Sequence, residues 1–304
     1  MAFEVDAALV VELGEKLVAR KSVALAELIK NAYDADATEV VVTFDRVCKP
    51  EGSITVEDNG VGMTFETLRR TWMRIATDQK LRNPYSPRYR RPTTGAKGVG
   101  RFAAARLSQE LILQSVAQVD EVTWEQVTVR FDWSQYRPGA DLRQVEHHYE
   151  VRRSNTPLPT GVKLMLQRLR DTWAESDFRE VMDDLLYLTP PYSAPEPGFS
   201  VRFVAPEFPE YEGRLSDKFL EAATAKLRGR VSENGTPVYT LTFRDEKRTL
   251  SFEAPETRFP ALVGAECIVH LFLFERRELG SGIRVGTAAD VGRRHGGVRI
   301  YLDG

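Results

Sequence analysis

The hydrophobic and polar positions between residues 22 and 37 follow the period of an amphipathic helix. Apolar residues recur at positions i, i+3, i+4 and i+7 and form one stripe, which consists of Leu25, Leu28, Ile29 and Ala32. At about 100° per residue, the opposite side brings three polar side chains within roughly 60° of one another. These are Glu27, Asn31 and Asp34. We call these three side chains the polar ridge, and the helix that carries them the ridge helix. We therefore predict a helix that ends near Asp36, although an ordinary helix with a solvated polar face has the same pattern.

Strand and helix patterns alternate after this helix. β-Branched runs predict strands over 38–47 and 53–57, with Pro50-Glu51-Gly52 as the turn between them. Helices are predicted over 65–75, 101–107 and 176–188. Further strands are predicted near 111–119, 122–131, 145–152 and 162–166. The stretch 76–94 is irregular, and a loop of this length in a compact domain is usually functional or mobile.

A proline-rich stretch over 189–198 predicts a domain boundary, which divides the chain into 1–189 and 190–304. Beyond it we predict strands over 199–204, 239–243 and 267–274, and a helix over 218–226. The chain ends just after a predicted strand and turn. We therefore expect it to be the N-terminal part of a longer protein, with a second domain that is incomplete.

Composition places the chain among soluble globular proteins, because 42% of its 304 residues are hydrophobic and 28% are charged. The net charge of −2 gives no whole-chain reason to expect nucleic acid or membrane as a partner. Cys48 and Cys267 are far apart, which favours free thiols in a reducing compartment. The sequence carries no signal-peptide pattern and no apolar run of membrane-spanning length, so a cytoplasmic protein is expected.

The sequence D-N-G-V-G-M at 58–63 directly follows a predicted strand. Gly60 and Gly62 permit a backbone turn that other residues resist, which lets the main chain approach a flat ligand. The turn would aim the Asp58 carboxylate at that ligand, and a carboxylate accepts a hydrogen bond from an exocyclic amine such as that of adenine. A hairpin turn of the Asn-Gly kind is the other interpretation.

A second glycine-rich stretch, G-A-K-G-V-G at 95–100, comes just before a predicted helix. Backbone N–H groups at the positive end of a helix form a phosphate site, and Lys97 and Arg101 add charge there. A plain helix N-terminus explains the same residues. The stretch is not a P-loop, because it lacks the pattern G-x-x-x-x-G-K-[ST]. It is not a dinucleotide fingerprint either, because no strand leads directly into it.

The three stretches occur in a definite order over about residues 20–170. A helix with Glu, Asn and Asp precedes D-x-G-x-G, a long loop and G-x-x-G-x-G. This order resembles the GHKL superfamily of gyrase B, the ninety-kilodalton heat-shock chaperone, histidine kinases and MutL. The resemblance implies an α+β fold, with a Bergerat-type α/β sandwich that binds ATP and Mg²⁺. A smaller α/β transducer-like domain would follow it.

The resemblance also implies roles for individual residues. Glu27 would act as the general base, Asn31 would coordinate Mg²⁺, and Asp34 would support the nucleotide or its water network. Asp58 would bind adenine, with Gly60, Gly62 and Met63 around the base. The phosphates would contact the turn of Gly98, Val99 and Gly100, with Arg101 beside it. Residues 76–97 would form an ATP lid that includes Thr77, and either Lys80 or Lys97 would reach the phosphates.

The chain departs from the family pattern near the last strand of the domain. The family has Gly-Thr there, and the threonine helps to bind adenine. Here Val162 follows Gly161, so the contact is either lost or made by Thr160 through water.

Two functions remain open at this stage. The first is slow Mg²⁺-dependent ATP hydrolysis that drives lid closure and homodimerisation in a MutL- or MORC-like machine. The second is a non-catalytic ATP-sensing scaffold or chaperone-like protein that recruits a partner. A histidine kinase is disfavoured, because only about twenty residues precede the ridge helix. Residues 66–106 contain eleven Lys and Arg against two acidic residues. The arginine-rich lid in this range either contacts DNA phosphates or, as we favour, neutralises the triphosphate.

Overall fold

The computed structural model describes residues 5–18, 20–74, 84–93, 100–185, 198–214, 225–243, 249–253 and 260–271. The described chain divides into two compact units, the first taking in Met1–Leu215 and the second Ser216–Tyr301. The boundary thus lies at 215/216 instead of the predicted 189/190. We describe each unit by itself.

Five α-helices belong to the described part of the first unit. They are α1 (Ala8–Leu17), α2 (Lys21–Asp34), α3 (Phe65–Thr71), α4 (Gly100–Leu107) and α5 (Glu175–Leu185). The predicted ridge helix is α2, which ends slightly before its predicted end. The reason is Asp36, whose φ of 62° is left-handed and stops the helical hydrogen-bond pattern.

The same unit contains one large mixed sheet. Its strands are β1 (Glu39–Asp45), β2 (Ser53–Asp58), β3 (Ser108–Gln118), β4 (Trp124–Asp132), β5 (Tyr149–Ser154), β6 (Gly161–Leu169), β7 (Ser200–Val204) and β8 (Gly213–Arg214). Their order is β5-β4-β3-β6-β2-β1-β7-β8. The β1–β7 pair is parallel, with Val40 opposite Val201, and the other described pairs are antiparallel.

The helices pack on this sheet to form a sandwich. The buried face of α2 contains Leu25, Leu28 and Ile29, which join the core of the unit. At the β1 end, the Phe44 ring lies 4.5 Å from Phe178 of α5 and 5.7 Å from Phe203 of β7. These contacts bury β7 in the first core and explain why the boundary lies beyond it. The fold class predicted from the sequence, an α/β sandwich, is confirmed.

The second unit contains a four-stranded antiparallel sheet in the described residues. Its strands are β9 (Ala225–Val231), β10 (Pro237–Phe243), β11 (Thr249–Glu253) and β12 (Glu266–Leu271), in the order β11-β10-β9-β12. The prediction of a helix over 218–226 is wrong at its end, because Ala225 and Lys226 begin β9. The remainder of that prediction lies outside the described residues.

Candidate functional site

The polar ridge predicted for α2 is present on the helix. Glu27, Asn31 and Asp34 are each half-buried, whereas the opposite face of α2 is fully buried. A half-buried position restrains a side chain against the protein and still leaves it open to a ligand. The ridge therefore offers two carboxylates and one amide along a single fixed line.

A fourth residue, Lys30, belongs to the same ridge and was missed in the sequence analysis. Its Nζ donates a hydrogen bond to Oε1 of Glu27 at 2.9 Å, and the two side chains are 26% and 21% exposed. The i, i+3 spacing of Glu27 and Lys30 was the signal in the sequence. The carboxylate that the resemblance assigns as general base is thus paired with a cation in this structure.

The loop after β2 is tied to the end of α2 by hydrogen bonds. Oδ1 of Asn59 accepts from the backbone N–H groups of Thr38 at 2.8 Å and Glu39 at 2.9 Å, while its Nδ2 donates to Oγ1 of Thr38. The N–H of Val61 donates to the carbonyl of Ala35 at 2.9 Å. These bonds bring the 58–63 loop next to the polar ridge. Asn59 was missed because its amide has a local structural task that spacing alone does not reveal.

The two carboxylate oxygens of Asp58 differ in the hydrogen bonds that they accept. Its Oδ1 accepts from the N–H of Gly60 at 2.8 Å and from the N–H of Val162 at 3.2 Å. Within the described part of the chain, no hydrogen bond reaches Oδ2. Burial raises the pKa of Asp58 to about 6, the two backbone donors lower it in part, and the nearby Glu57 carboxylate raises it.

The departure at Val162 therefore affects the side chain only. Asp58 is held by the backbone N–H of Val162, which any residue except proline supplies at that position. Thr160 lies just before β6, and its side chain makes no hydrogen bond with the described residues. Its water-mediated role toward a ligand remains a prediction.

Glycines let the backbone close around Asp58. Gly62 has a φ of 68°, and a Cβ placed on it would lie 2.0 Å from the carbonyl oxygen of Val116. A Cβ on Gly161 would lie 2.0 Å from the carbonyl oxygen of Asp58. Side chains at these positions would force the loop after β2 away from β3 and β6. Gly62 and Gly161 are thus required by close approach of the backbone as well as by φ.

The remainder of the loop is anchored on β3 and β4. Ser115 Oγ accepts from the N–H of Met63 at 2.6 Å and donates to the carbonyl of Met63 at 3.0 Å. The buried carboxylate of Glu125 accepts from the N–H of Phe65 at 2.8 Å, at the start of α3. Ser115 and Glu125 were also missed, because they are ordinary strand residues until the pairing brings them under the loop.

Residues 84–93 form an arm that is attached to the end of α2. The buried Asp36 carboxylate accepts from the N–H groups of Arg88 at 2.6 Å and Tyr89 at 3.1 Å. The Arg91 guanidinium lies over the rings of Tyr33 and Tyr89, at 5.1 Å and 4.9 Å from their centroids. These contacts attach the arm to α2, and the mobility expected for the loop that contains it stays a prediction.

Several predicted site residues fall outside the described part of the chain. These are Thr77, Lys80, Lys97, Gly98 and Val99. Gly100 is the first residue of α4, and the side chain of Arg101 is not described. The choice between Lys80 and Lys97 as the phosphate contact therefore stays a prediction.

Among the described residues, no group of three or more His, Cys, Asp or Glu side chains is placed to hold a metal ion. The resemblance implies a different kind of site for Mg²⁺. That ion keeps several waters and takes its remaining oxygens from one or two protein groups and from substrate phosphates. Asn31, the ligand that the resemblance implies, carries one such oxygen on its amide, and its role as a ligand stays a prediction.

Residues 19–153 match the family model described as histidine kinase-, DNA gyrase B-, and HSP90-like ATPase. The match supports the GHKL superfamily. It covers α2, the loop after β2, the arm and α4, all of which belong to the candidate site.

A curated relative is also similar to part of the chain. It is a putative type II restriction enzyme, HgiDII, from Herpetosiphon aurantiacus, with 35% identity over 77 residues. The matched stretch is 25% of this chain and 12% of that protein.

None of the helices in the described part of the chain is both long and apolar enough to cross a membrane.

The close approach at Gly62 generates a stability prediction. Gly62→Ala should destabilise the protein by more than Gly139→Ala, measured as the free energy of unfolding in urea. Both glycines have positive φ, 68° and 84°, but a Cβ on Gly139 meets nothing within 4 Å. The control therefore carries the left-handed strain alone, about 1 kcal/mol. Equal losses for the two variants would contradict the argument from the Val116 carbonyl.

The raised pKa of Asp58 generates a pH prediction. The folded state binds this proton more tightly than the unfolded chain does, since the pKa is about 6 against 3.8. The stability from Asp58 is thus fully present below the unfolded pKa and is lost as pH rises toward about 6, by up to roughly 3 kcal/mol. Asp58→Asn, which keeps the acceptor for Gly60 and Val162, should remove this loss. Urea unfolding across the acidic range measures it, and parallel curves for both proteins would refute it.

Proposed function

We propose that this chain is the ATP-binding part of a GHKL-type ATPase that hydrolyses ATP slowly with Mg²⁺. The observation that carries the proposal is the state of Asp58. Backbone groups occupy its Oδ1, Oδ2 receives no hydrogen bond from the described residues, and its loop is fixed beside the α2 ridge. A carboxylate presented in this way suits a ligand with an amine donor, and the family match points to adenine.

The remaining roles follow from position on the ridge. Asp58 Oδ2 would accept from the exocyclic amine of adenine, and Glu27 would take the proton of the attacking water. The amide oxygen of Asn31 would hold Mg²⁺, which neutralises charge on the triphosphate when bound. The N-terminus of α4, which begins at Gly100, would face the phosphates.

The Lys30 ion pair places a condition on hydrolysis. A carboxylate oxygen that accepts a hydrogen bond from an ammonium group is already occupied, so the pair must open before that oxygen can take a proton from water. A bound triphosphate offers that ammonium another anionic partner on the same ridge. We therefore include in the proposal that ATP draws Lys30 away from Glu27 and frees the base.

The same ion pair favours a second candidate function, a non-catalytic ATP sensor or scaffold. If Lys30 stays on Glu27 with nucleotide bound, the site binds ATP without activating water. The protein would then act through its ATP-bound shape and recruit a partner, as a chaperone-like protein does. Turnover by the purified chain separates the two functions.

Lid closure and two-fold dimerisation complete the proposal. The arm over 84–93 is anchored on Asp36, at the end of the ridge helix, so nucleotide on the ridge would be sensed at the middle of the predicted lid over 76–97. Closure would exclude water from the site.

Action on nucleic acid is part of the proposal as well, because the similar protein from Herpetosiphon aurantiacus is named as a putative restriction enzyme.

Glu27→Ala tests the catalytic function. The variant should bind ATP but lose about 10²- to 10⁴-fold in turnover, because a positioned general base contributes that much. Phosphate release measures turnover, and calorimetry measures binding. Glu12→Ala is the matched control, since Glu12 is also a helical glutamate paired with a lysine, Lys16, at 3.1 Å. Equal turnover in Glu27→Ala and wild type would remove Glu27 from the mechanism, and measurable binding without turnover in wild type would favour the sensor.

Dimerisation is tested by light scattering. Wild type should be monomeric without nucleotide and with ADP, and should shift toward a dimer with a non-hydrolysable ATP analogue. Glu27→Ala should shift in the same way with ATP itself, because it retains the intact triphosphate. The same molar mass in all these states would contradict ATP-dependent dimerisation.

A further inference from the structure

One face of the sheet in the second unit carries a row of cations. Lys226, Arg228 and Arg230 occupy alternate positions of β9, so they point to the same face, and all three are exposed. The alternate residues on the other face, such as Ala225 and Gly229, are buried. Successive cations are about 6.8 Å apart along the strand, from the rise of about 3.4 Å per residue.

Hydroxyl groups lie beside these cations on the same face. In the register of β10, Thr242 is opposite Lys226 and Thr240 is opposite Arg228. One strand further, Ser251 of β11 is opposite Thr240. Side chains directly opposite each other in a sheet share a face. The face thus combines ammonium, guanidinium and hydroxyl groups, which are the donors that proteins use to contact phosphate oxygens.

These cations have no ion-pair partner among the described residues, since no carboxylate of those residues lies within 4 Å of Lys226, Arg228 or Arg230. Several exposed arginines of the first unit, by contrast, are paired, as Arg152 is with Glu150 and Arg143 with Asp141, both at 2.7 Å. Unpaired cations in a row leave their charge for an external anion.

Acidic residues occur at one end of this face. Glu266 of β12 is opposite Arg230, and Glu253 of β11 is opposite Val238. They reduce the positive charge at the Arg230 end, whereas the Lys226 end has no described acidic residue opposite it. The face is therefore most positive at Lys226 and Arg228.

We propose that this basic face, made by Lys226, Arg228 and Arg230 with Thr240, Thr242 and Ser251, binds the phosphate backbone of double-stranded DNA. A linear row of cations matches a linear polyanion. The aromatic side chains Tyr239 and Phe252 lie on the opposite face, where the register places Tyr239 against Gly229. Single strands are bound through base stacking on aromatic side chains, so the basic face fits a duplex. Binding is independent of sequence and does not require ATP hydrolysis.

The test uses the whole chain with Lys226→Gln, Arg228→Gln and Arg230→Gln combined. Fluorescence anisotropy with a labelled DNA duplex of about 20 base pairs, titrated over a range of salt concentrations, measures the affinity and its salt dependence. Each lost phosphate contact lowers the slope of log K against log salt by about 0.9, so the slope should fall by up to about 2.7. Circular dichroism checks folding, and ATP binding by the first unit should be unchanged.

The matched control removes the same net charge from elsewhere. It combines Arg46→Gln, Arg143→Gln and Arg152→Gln, whose side chains are 70%, 75% and 70% exposed and paired with carboxylates. The control should keep the wild-type slope. An unchanged slope in the β9 variant, or an equal fall in the control, overturns the proposal. So does tighter binding to single-stranded DNA or to phosphatidylserine vesicles than to the duplex. Because the assay contains no ATP, its failure would leave the ATPase proposal intact.

Discussion

The candidate site depends on the hydrogen bonds that join the loop after β2 to the end of α2. The Asn59 side chain accepts from the N–H groups of residues 38 and 39. The N–H of Val61 donates to the carbonyl of Ala35, just after the end of the helix. A helix end and a loop each leave backbone groups unsatisfied when they are alone. Here each supplies the partners that the other lacks. The Asp58 carboxylate and the ridge of Glu27 and Asn31 thus become parts of one rigid assembly.

Close backbone packing explains why this assembly tolerates little variation at its glycines and more at its side chains. Gly62 and Gly161 lie against carbonyl oxygens of neighbouring strands, where even a Cβ would clash. Val162 replaces a threonine of the family pattern, yet its N–H still holds Asp58. The position of the acidic group is therefore set by main-chain bonds, and the change of side chain alters only what the ligand can contact.

The sequence predicted those parts of the fold that depend on local periodicity. The apolar stripe of α2 and the alternation in β1 and β2 are read within ten or so residues, and the structure contains them. The structure divides the chain at 215/216 instead of the predicted 189/190, because β7 pairs with β1 across about 160 residues, and local pattern does not encode such a partner. The helix predicted over 218–226 failed at Ala225 and Lys226, where cross-strand pairing with β10 outweighs helix propensity.

Predicting the site was limited in the same way. The roles of Glu27, Asn31 and Asp58 came from motif order, whereas Ser115, Glu125 and Asp36 act through partners that are distant in sequence. Lys30 is the exception, because its pairing with Glu27 is local and was available from spacing alone.

Ion pairing distinguishes the charges that maintain the fold from those that remain for ligands. Nearby carboxylates pair with several exposed arginines of the first unit, and such surface pairs contribute little to stability while they neutralise the surface. Lys30 and Glu27 neutralise each other on the ridge, so a triphosphate there must compete with an existing pair. The cations of β9 have no such competitor within 4 Å among the described residues, and a polyanion would meet them without first breaking an ion pair. The triphosphate site proposed for the first unit would therefore have to break an ion pair to bind its ligand, whereas the DNA-binding face proposed for the second unit would not.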